Sequence, residues 1–532
     1  MSDVRMIRSA GKVGLAVMAS RVLGLVRDQV FAWMFGGGKL NDAFQMAFRI
    51  PNLLRDLFAE GALSSAFVTV LSKARTRFGD AGAWRIARLT MTLQIIILGA
   101  IALLGILLAP WIVGAIAPGF ASDPGKVELT VRLTRVLFPF IIFVAAAALA
   151  MGLLNTFGSF GVPASASIFF NLGSIVVGLG LALLVDPGFG EKAVVCMAVG
   201  SLAGGALQWL VQVPAMRRAG YRFRWSWDPK DPGLRDIGRL MAPAIIGVSA
   251  TQVNVVINSI FASGLGEGAV TWLAFGFRLI QLPIGMFGVA IATAALPSLA
   301  VDAVKVDPRA FRERVEHALR LNATFCIPAA CGLALLSTPL VGLLFERGRF
   351  DLEDTLGTAR VLTAFSVGLV GYASVKVLGP AFYALNRTLV PMLVSLGSIV
   401  ITLCLNWFFV ERLHVGPAGL ALATALSALA SATFLLSSLS RLVGPVSRRT
   451  WGAGLKILVA ASGMSAVVWV GDWALAEQFA GHAFLGNFCR TFFGVGLGGL
   501  TYFWLAGKLG VEEIREIQRG VRERLTRRAV PL

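Results

Sequence analysis

Long apolar stretches recur from one end of this 532-residue chain to the other, and many are close to the length of a membrane-spanning helix. Such a helix needs about 20 mainly apolar residues. The composition agrees, because 56% of the residues are hydrophobic and only 14% are charged, whereas soluble proteins average about 25% charged. The stretches predict an all-α integral membrane protein with about fourteen transmembrane helices. The predicted spans are 13–36, 42–72, 89–117, 131–156, 163–185, 193–215, 237–264, 269–301, 316–345, 358–385, 389–410, 416–440, 451–471 and 485–507.

Basic residues are distributed unevenly between the alternate connections of these spans. If the N-terminus is inside, the inner connections receive the dense Lys and Arg clusters, and cytoplasmic connections are the ones that carry such an excess. The outer connections then receive only Lys39, Lys126, Lys192, Arg347, Arg349, Arg412 and Arg490. We therefore expect a multi-pass protein with both termini in the cytoplasm. Its net charge of +19 needs no nucleic-acid partner, because anionic membrane lipids supply the counter-charge.

The chain carries signs of an internal duplication. The segment Ala62–Ala66 matches Ala290–Ala294 at an offset of 228 residues, and Pro163 matches Pro391 at the same offset. A unit with an even number of helices gives both copies the same orientation, so the repeats are related by an axis along the membrane normal, with the substrate site between them. We expect a parallel pseudo-two-fold repeat of two six-helix lobes, followed by two C-terminal helices.

This repeat defines the predicted domain organisation. The last segment has an apolar stripe of Val511, Ile514, Ile517, Val521 and Leu525 interleaved with arginines, which is typical of a basic amphipathic helix on a membrane surface. The predicted parts are an N-lobe (1–228), a C-lobe (229–450), a helix pair (451–510) and a cytoplasmic basic tail (511–532).

Arginines inside the predicted spans are the most unusual feature of the sequence. Arg21 and Arg27 lie in the first span, Arg49 and Arg55 in the second, and Arg278 in the eighth. A charged side chain at the bilayer centre costs roughly 2.5–3.5 kcal/mol on insertion scales. Arginine also suits bidentate contact with phosphate. The arginines therefore predict a water-filled cavity that binds an anionic substrate.

Acidic residues in the same spans offer a competing explanation for some of this charge. Asp42, Arg49 and Asp56 are spaced by seven residues, so they share a helix face, and Arg21 and Asp28 have the same spacing. Internal ion pairs are therefore the alternative for Arg49 and Asp28.

Other chemistries lack support in the sequence. The five cysteines form no CxxC motif, the three histidines are scattered, and no P-loop motif occurs. No nucleophile–base or metal-ligand arrangement is recognisable, so we expect a transporter without a cofactor rather than an enzyme.

Several motifs resemble the lipid II flippase (MurJ/MviN) family of the multidrug/oligosaccharidyl-lipid/polysaccharide exporter superfamily, and the resemblance spans essentially the whole chain. The N-terminal block is the most specific part. The motifs are Ser20–Asp28, Asp42-Ala43-Phe44, Pro51–Arg55, Phe58–Ala62, Ala117–Phe120, Gln281-Leu282-Pro283, Leu296–Leu299 and Val375–Tyr383.

The resemblance implies a fold of two six-helix lobes plus two C-terminal helices that form a groove for a polyprenyl tail. It implies translocation of lipid II, the undecaprenyl-diphosphate-linked peptidoglycan precursor, from the inner to the outer leaflet of the bacterial cytoplasmic membrane. The family's cavity arginines match Arg21, Arg27, Arg55 and Arg278, and its second-helix aspartate matches Asp42. Together with neighbouring polar residues, the predicted substrate-binding set is Ser20, Arg21, Arg27, Asp42, Arg49, Arg55, Glu60 and Arg278.

Two departures from the family pattern affect the expected mechanism. Phe277 stands where many members have Asp or Asn before the eighth-helix arginine. The seventh helix has no acidic residue for sodium, and its polar residues at that site are Thr251, Gln252, Asn254 and Asn258. Ion coupling therefore stays open, and membrane potential is the alternative driving force. We expect alternating access, with cell-wall synthesis and division proteins as further candidate partners. Two other functions stay open: export of another polyprenyl-linked oligosaccharide or a drug, and a non-transporting cell-wall scaffold.

Overall fold

The computed structural model describes residues 2–56, 62–304, 307–479, 483–516 and 519, and within them it is helical, with no β-strand. Short 3₁₀ or π segments lie at Pro118–Ser122, Ile284–Val289 and Phe408–Arg412. The α-helices are α1 (Ser2–Phe35), α2 (Lys39–Arg55), α3 (Ala62–Leu107), α4 (Ala109–Ile116), α5 (Pro124–Leu137), α6 (Phe140–Thr156), α7 (Gly161–Val185), α8 (Glu191–Leu210), α9 (Val213–Arg218), α10 (Pro232–Ser263), α11 (Ala269–Pro283), α12 (Ala290–Val304), α13 (Pro308–Leu335), α14 (Ser337–Phe345), α15 (Leu352–Ser366), α16 (Leu369–Ala384), α17 (Leu389–Trp407), α18 (Pro417–Val443), α19 (Arg448–Gln478) and α20 (Ala483–Lys508).

Many of these helices are suited to a bilayer. Among the described residues, nine helical segments are long and apolar enough to cross a membrane, and ten if the bent pair α15 and α16 forms one span. The helices that carry the arginine-rich motifs, α1 and α2, are not among these nine. Helix α2 has only 17 residues, fewer than the about 20 of a typical spanning helix. The chain is an all-α, multi-pass membrane protein, as predicted.

The helix boundaries near the second span differ from the predicted ones. Helix α2 ends at Arg55, and α3 then runs from Ala62 to Leu107 through a stretch that the sequence assigned to a basic connection. Gly79 interrupts α3 with φ 66°, a conformation that a residue without Cβ adopts at little cost. The connection predicted after residue 72 is therefore mostly helical.

The chain divides into two compact units. The first contains the chain up to Thr271 together with Arg347–Phe350, and the second contains Trp272–Glu346 and the chain from Asp351 onward. This division follows helix packing, whereas the predicted lobe boundary at 228/229 follows a sequence offset. The lobe boundary and the other domain limits therefore stay predictions.

Small residues allow close helix packing in the first unit. A Cβ added to Gly200 would lie 2.4 Å from the Gly178 Cα, and one added to Gly204 would lie 2.4 Å from the Phe170 carbonyl oxygen. Such contacts between α7 and α8 are typical of membrane helices, whose backbones approach at small residues. A buried cluster that includes Phe31, Phe44 and Leu133 joins α1, α2, α5 and α8, and it fixes the helices that carry the arginines.

The second unit encloses the beginning of the predicted basic tail. Val511 and Ile514 are buried with Met464 of α19 and Tyr502 of α20. The carboxylate of Glu513 accepts a 2.6 Å hydrogen bond from Arg320 Nε of α13. The apolar stripe predicted for the membrane surface therefore starts in the protein interior. Ile517, Val521 and Leu525 lie outside the described residues, so a membrane-surface location for them stays a prediction.

Candidate functional site

The two arginines of α1 have different surroundings. Arg21 is exposed and forms no hydrogen bond or ion pair with any described residue. Arg27 is 12% exposed, its Nη2 lies 3.2 Å from Asp28 Oδ1, and its guanidinium carbon lies 5.4 Å from the centre of the Phe170 ring, within cation–π range. The sequence offered Arg21 as a partner for Asp28. The structure instead pairs Asp28 with its neighbour Arg27.

Contacts with α7 hold this part of α1 in place. The Asn171 side-chain amide donates to the Ser20 carbonyl oxygen at 3.1 Å and to the Ser167 carbonyl oxygen at 3.2 Å. Gly24 faces the same amide, because a Cβ there would lie 3.7 Å from Asn171 Nδ2. The backbone of Ser20 is therefore part of a helix–helix contact that positions Arg21 and Arg27.

A polar seam runs along α2 with the seven-residue spacing read from the sequence. Arg49 Nη1 donates to Ser259 Oγ at 2.8 Å, and Gln252 Nε2 donates to Asp56 Oδ2 at 3.3 Å. Ser259 and Gln252 are themselves seven residues apart on α10. The prediction that Arg49 and Asp56 share a helix face is confirmed. Arg49 bonds to a hydroxyl, and it forms no ion pair within the described part of the chain.

Arg55 lies at the end of α2 and remains partly accessible. Its Nε and Nη2 donate to Asp56 Oδ1 at 3.2 and 3.0 Å, and its side chain is 24% exposed. Arg27 and Arg55 thus each contact the acidic residue that follows them directly in the sequence. Glu60, another predicted site residue, lies outside the described residues.

Among the described residues of the predicted set, Asp42 is the most completely enclosed. Its side chain is 0% exposed and lies 2.8 Å from Lys126 Nζ. It also accepts hydrogen bonds from the backbone N–H groups of Gly268 and Thr271, both at 2.9 Å, and from the Thr271 hydroxyl at 2.8 Å. All four residues belong to the first unit.

A second ion pair lies beside this buried group and is partly exposed. Lys39 Nζ lies 2.9 Å from Asp123 Oδ2, and Asp123 also caps α5 by accepting from the Lys126 backbone N–H at 3.1 Å. Hydrogen bonding from Lys39 is the main reason why the pKa of Asp123 is below its ordinary value. Sequence reasoning missed both pairs, because each joins residues 84 positions apart. The cap sequence Asp123-Pro124-Gly125-Lys126 was the available signal for the start of α5.

Arg278 is part of the second unit. It lies in α11, is half-buried, and is flanked by the buried side chains of Phe275 and Leu279. Phe277, where many family members have a polar residue, packs its ring 5.4 Å from that of Phe365. The prediction that Arg278 and the arginines of α1 and α2 bind one substrate stays a prediction.

The first unit thus presents three guanidinium groups on α1 and α2 that are accessible to different degrees. Arg21 is exposed, and Arg27 and Arg55 are partly exposed despite their acidic neighbours. Hydrogen bonds between charged partners are about twice as strong as neutral ones, and guanidinium groups match phosphate oxygens geometrically. This arrangement is suited to binding a phosphate-bearing anion.

Comparison with known protein families gives a match over most of the chain. The family model described as "Lipid II flippase MurJ" matches residues 31–489. A lipid II flippase MurJ from Burkholderia cenocepacia is 35% identical, over 80% of this chain and 82% of the relative. A probable lipid II flippase MurJ from Rhizobium meliloti is 32% identical, over 97% of this chain and 96% of the relative.

Solved structures agree with this match. The structure titled "Lipid II flippase MurJ, inward closed conformation" is similar with a TM-score of 0.78 and 25% identity, covering 94% of this chain and 98% of that one. An inward-facing multidrug resistance MATE transporter has a TM-score of 0.67 at 17% identity, covering 80% of this chain and 94% of that one, which shows a shared fold. The extent of the family match and the identity to full-length relatives establish that this chain belongs to the lipid II flippase MurJ family.

Proposed function

We propose that this chain is a lipid II flippase, a transporter rather than an enzyme. It moves the undecaprenyl-diphosphate-linked peptidoglycan precursor from the inner to the outer leaflet of the bacterial cytoplasmic membrane, and so supports cell-wall synthesis and cell shape. Family membership supports the identity of the substrate. The observation that carries the proposal at the level of residues is the set of accessible guanidinium groups of Arg21, Arg27 and Arg55 in the first unit.

The arginines bind the head group in this proposal. Arg21, Arg27 and Arg55 contact the diphosphate, which carries the substrate's negative charge, and Arg278 contributes from α11. Arg49 is held by Ser259, and Asp42 is enclosed by its four donors, so these two residues position the binding arginines. Ser20 acts through its backbone contact with Asn171, and Glu60 is proposed as a further polar contact from its sequence position alone.

Transport proceeds by alternating access. The head group enters from the inner side, binds to the arginines, and is released outside after the lobes rearrange. The polyprenyl tail stays in the lipid, because each CH₂ group removed from water contributes about 0.8 kcal/mol. Membrane potential is the proposed driving force for resetting the carrier, since each elementary charge that crosses 100 mV is worth about 2.3 kcal/mol.

The proposed orientation places both termini in the cytoplasm, because the inner connections then carry the basic clusters. Besides lipid II, the partners on the inner side are anionic membrane lipids. Proteins of cell-wall synthesis and division are the other proposed partners, because the transported precursor is their substrate.

The direct test is depletion of the protein in cells followed by a leaflet-specific assay of lipid II. Depletion should trap lipid II in the inner leaflet, and the wild-type gene should restore it to the outer leaflet. Normal delivery of lipid II during depletion would contradict the proposal. Purified protein that moved other polyprenyl-linked sugars or drugs as readily as lipid II would instead favour a broader exporter.

A further inference from the structure

The segment between α9 and α10 has no regular secondary structure, and its sequence alternates aromatic and basic residues. Residues 221–227 read Tyr-Arg-Phe-Arg-Trp-Ser-Trp, and we call them the interfacial arm. The rings of Phe223 and Trp225 pack edge to face, with their centroids 5.5 Å apart. Tyr221 is buried, whereas Phe223, Trp225 and Trp227 are 41%, 66% and 61% exposed. Three adjacent, exposed aromatic side chains thus form an apolar surface.

The arm is fixed to the first unit at both ends. Gly220, which directly precedes the arm, has φ 88°, and a Cβ at this position would lie 2.5 Å from the Trp84 ring. Tyr221 packs in the core beside α3 and α6. At the other end, Arg85 of α3 lies 3.2 Å from Asp228 and 2.9 Å from Asp231. The exposed aromatic residues therefore belong to an anchored segment.

A hydrogen bond defines the position of the arm along α3. The Ser226 backbone N–H donates to Thr92 Oγ1 at 3.3 Å, and Thr92 lies close to the inner end of the span predicted at 89–117. In the proposed orientation, the predicted span boundary therefore leads us to expect the middle of the arm near the membrane–water boundary on the inner side. Tryptophan is enriched at this depth, because its ring suits the head-group region.

Basic residues surround the aromatic face. Arg222 and Arg224 lie within the arm and are exposed, and Arg217 and Arg218 at the end of α9 are exposed as well. Their charge is complementary to the anionic lipids of an inner leaflet. Each basic residue near such a surface strengthens binding roughly fivefold (about 1 kcal/mol).

We propose that the interfacial arm is a lipid-binding site for the inner leaflet. Phe223, Trp225 and Trp227 insert at the level of the head groups, and Arg222 and Arg224 bind the phosphates of anionic phospholipids. The site gives a location to the anionic lipids named under the proposed function. It rests on the orientation proposed there and not on the identity of the transported lipid.

Site-directed spin labelling tests this proposal on the full-length protein. A nitroxide is attached to Ser226→Cys after replacement of the five native cysteines, and the protein is reconstituted in phosphatidylglycerol or phosphatidylcholine vesicles. In phosphatidylglycerol the label should be shielded from a water-soluble nickel complex and accessible to oxygen. The shielding should decrease in phosphatidylcholine and at high salt.

Two variants distinguish lipid phosphate binding from general charge effects. Arg222→Gln with Arg224→Gln should reduce the shielding in phosphatidylglycerol. The matched control, Lys73→Gln with Arg77→Gln, removes two exposed charges of the same unit and should leave the label shielded.

Three results would overturn the proposal. The first is a spin label that the nickel complex reaches in phosphatidylglycerol vesicles. The same conclusion holds if the label becomes shielded only after a soluble protein is added. Another is shielding that is the same in both lipids and in both variants, since aromatic insertion alone would then explain it. The third is reaction of the Ser226→Cys thiol with a membrane-impermeant reagent applied to the outside of spheroplasts. That result would contradict the proposed orientation. A lipid II transport assay on the same sample shows separately whether the flippase function holds.

Discussion

Two groups of charged residues in the first unit differ in how completely the structure encloses them. Asp42 is 0% exposed and has Lys126, Gly268 and Thr271 as partners. Arg27 and Arg55 each contact the acidic residue next to them and remain 12% and 24% exposed. An enclosed charge that loses its partner is costly, whereas a partly exposed one can exchange its neighbour for a ligand. The first group is therefore suited to holding the fold and the second to binding substrate.

Removal of an accessible arginine should give the largest effect on transport and a small effect on folding. We expect Arg27→Ala to abolish growth complementation while the protein stays in the membrane. A hydrogen bond to a charged group contributes about 1.5–3 kcal/mol, which is roughly a 10- to 150-fold loss of lipid II affinity per arginine. Complementation and membrane abundance are measured together. Arg77→Ala, which removes an exposed charge in α3, is the control. Full complementation by both Arg27→Ala and Arg278→Ala would remove the basis for assigning substrate binding to arginines.

Removal of Lys126, the cationic partner of the enclosed Asp42, should have a large effect on the stability of the fold. Lys126→Met leaves the Asp42 carboxylate buried without its cation, which typically costs about 3–5 kcal/mol of stability. Thermal unfolding of the purified protein in detergent measures this change. The double variant Asp42→Asn with Lys126→Met removes both charges and should recover much of the loss. Wild-type stability of the single variant would show that the enclosed pair does not hold the fold.

One donor of the enclosed group can be deleted with a smaller expected effect. Thr271→Val keeps the backbone N–H that binds Asp42 and removes the hydroxyl, which donates at 2.8 Å. A hydrogen bond of this kind contributes about 1–3 kcal/mol when its partner is charged or left unsatisfied. The same unfolding assay should rank this variant between wild type and Lys126→Met. A loss as large as that of Lys126→Met would show that the ion pair is not the main contributor.

The partly exposed ion pair between Lys39 and Asp123 should give the smallest effect on stability, and this effect should depend on pH. Lys39 lowers the pKa of Asp123 in the folded protein. The pair therefore stabilises the fold above the unfolded-state pKa of about 3.9, and this contribution is lost as the pH falls through the lower folded value. Asp123→Asn keeps a helix cap and should differ slightly from wild type at neutral pH and not at the acid end. A difference that grows toward acid would contradict this sign.

Local sequence patterns predicted much of the fold and only part of the site. Apolar stretches identified the membrane class, and the seven-residue spacing placed Arg49 and Asp56 on one face of α2. The pattern could not show that Lys126 is the partner of Asp42, because tertiary packing brings the two together across 84 residues. It also placed Val511 and Ile514 on a membrane surface, since an apolar stripe packs equally well against lipid or protein, and here it packs against α19 and α20.

The central claim is that the accessible arginines bind the diphosphate of the substrate. The most direct measurement is a double-mutant cycle between protein and ligand, which compares binding of lipid II and of an analogue with a single phosphate to wild type and to Arg27→Ala. If Arg27 contacts the phosphate that the analogue lacks, the loss of binding free energy from the substitution and the loss from the missing phosphate are coupled by about 1.5–3 kcal/mol. The Arg27→Ala variant then binds lipid II and the analogue with similar affinity. Independent, additive losses for Arg27→Ala, and equally for Arg55→Ala, would contradict the account.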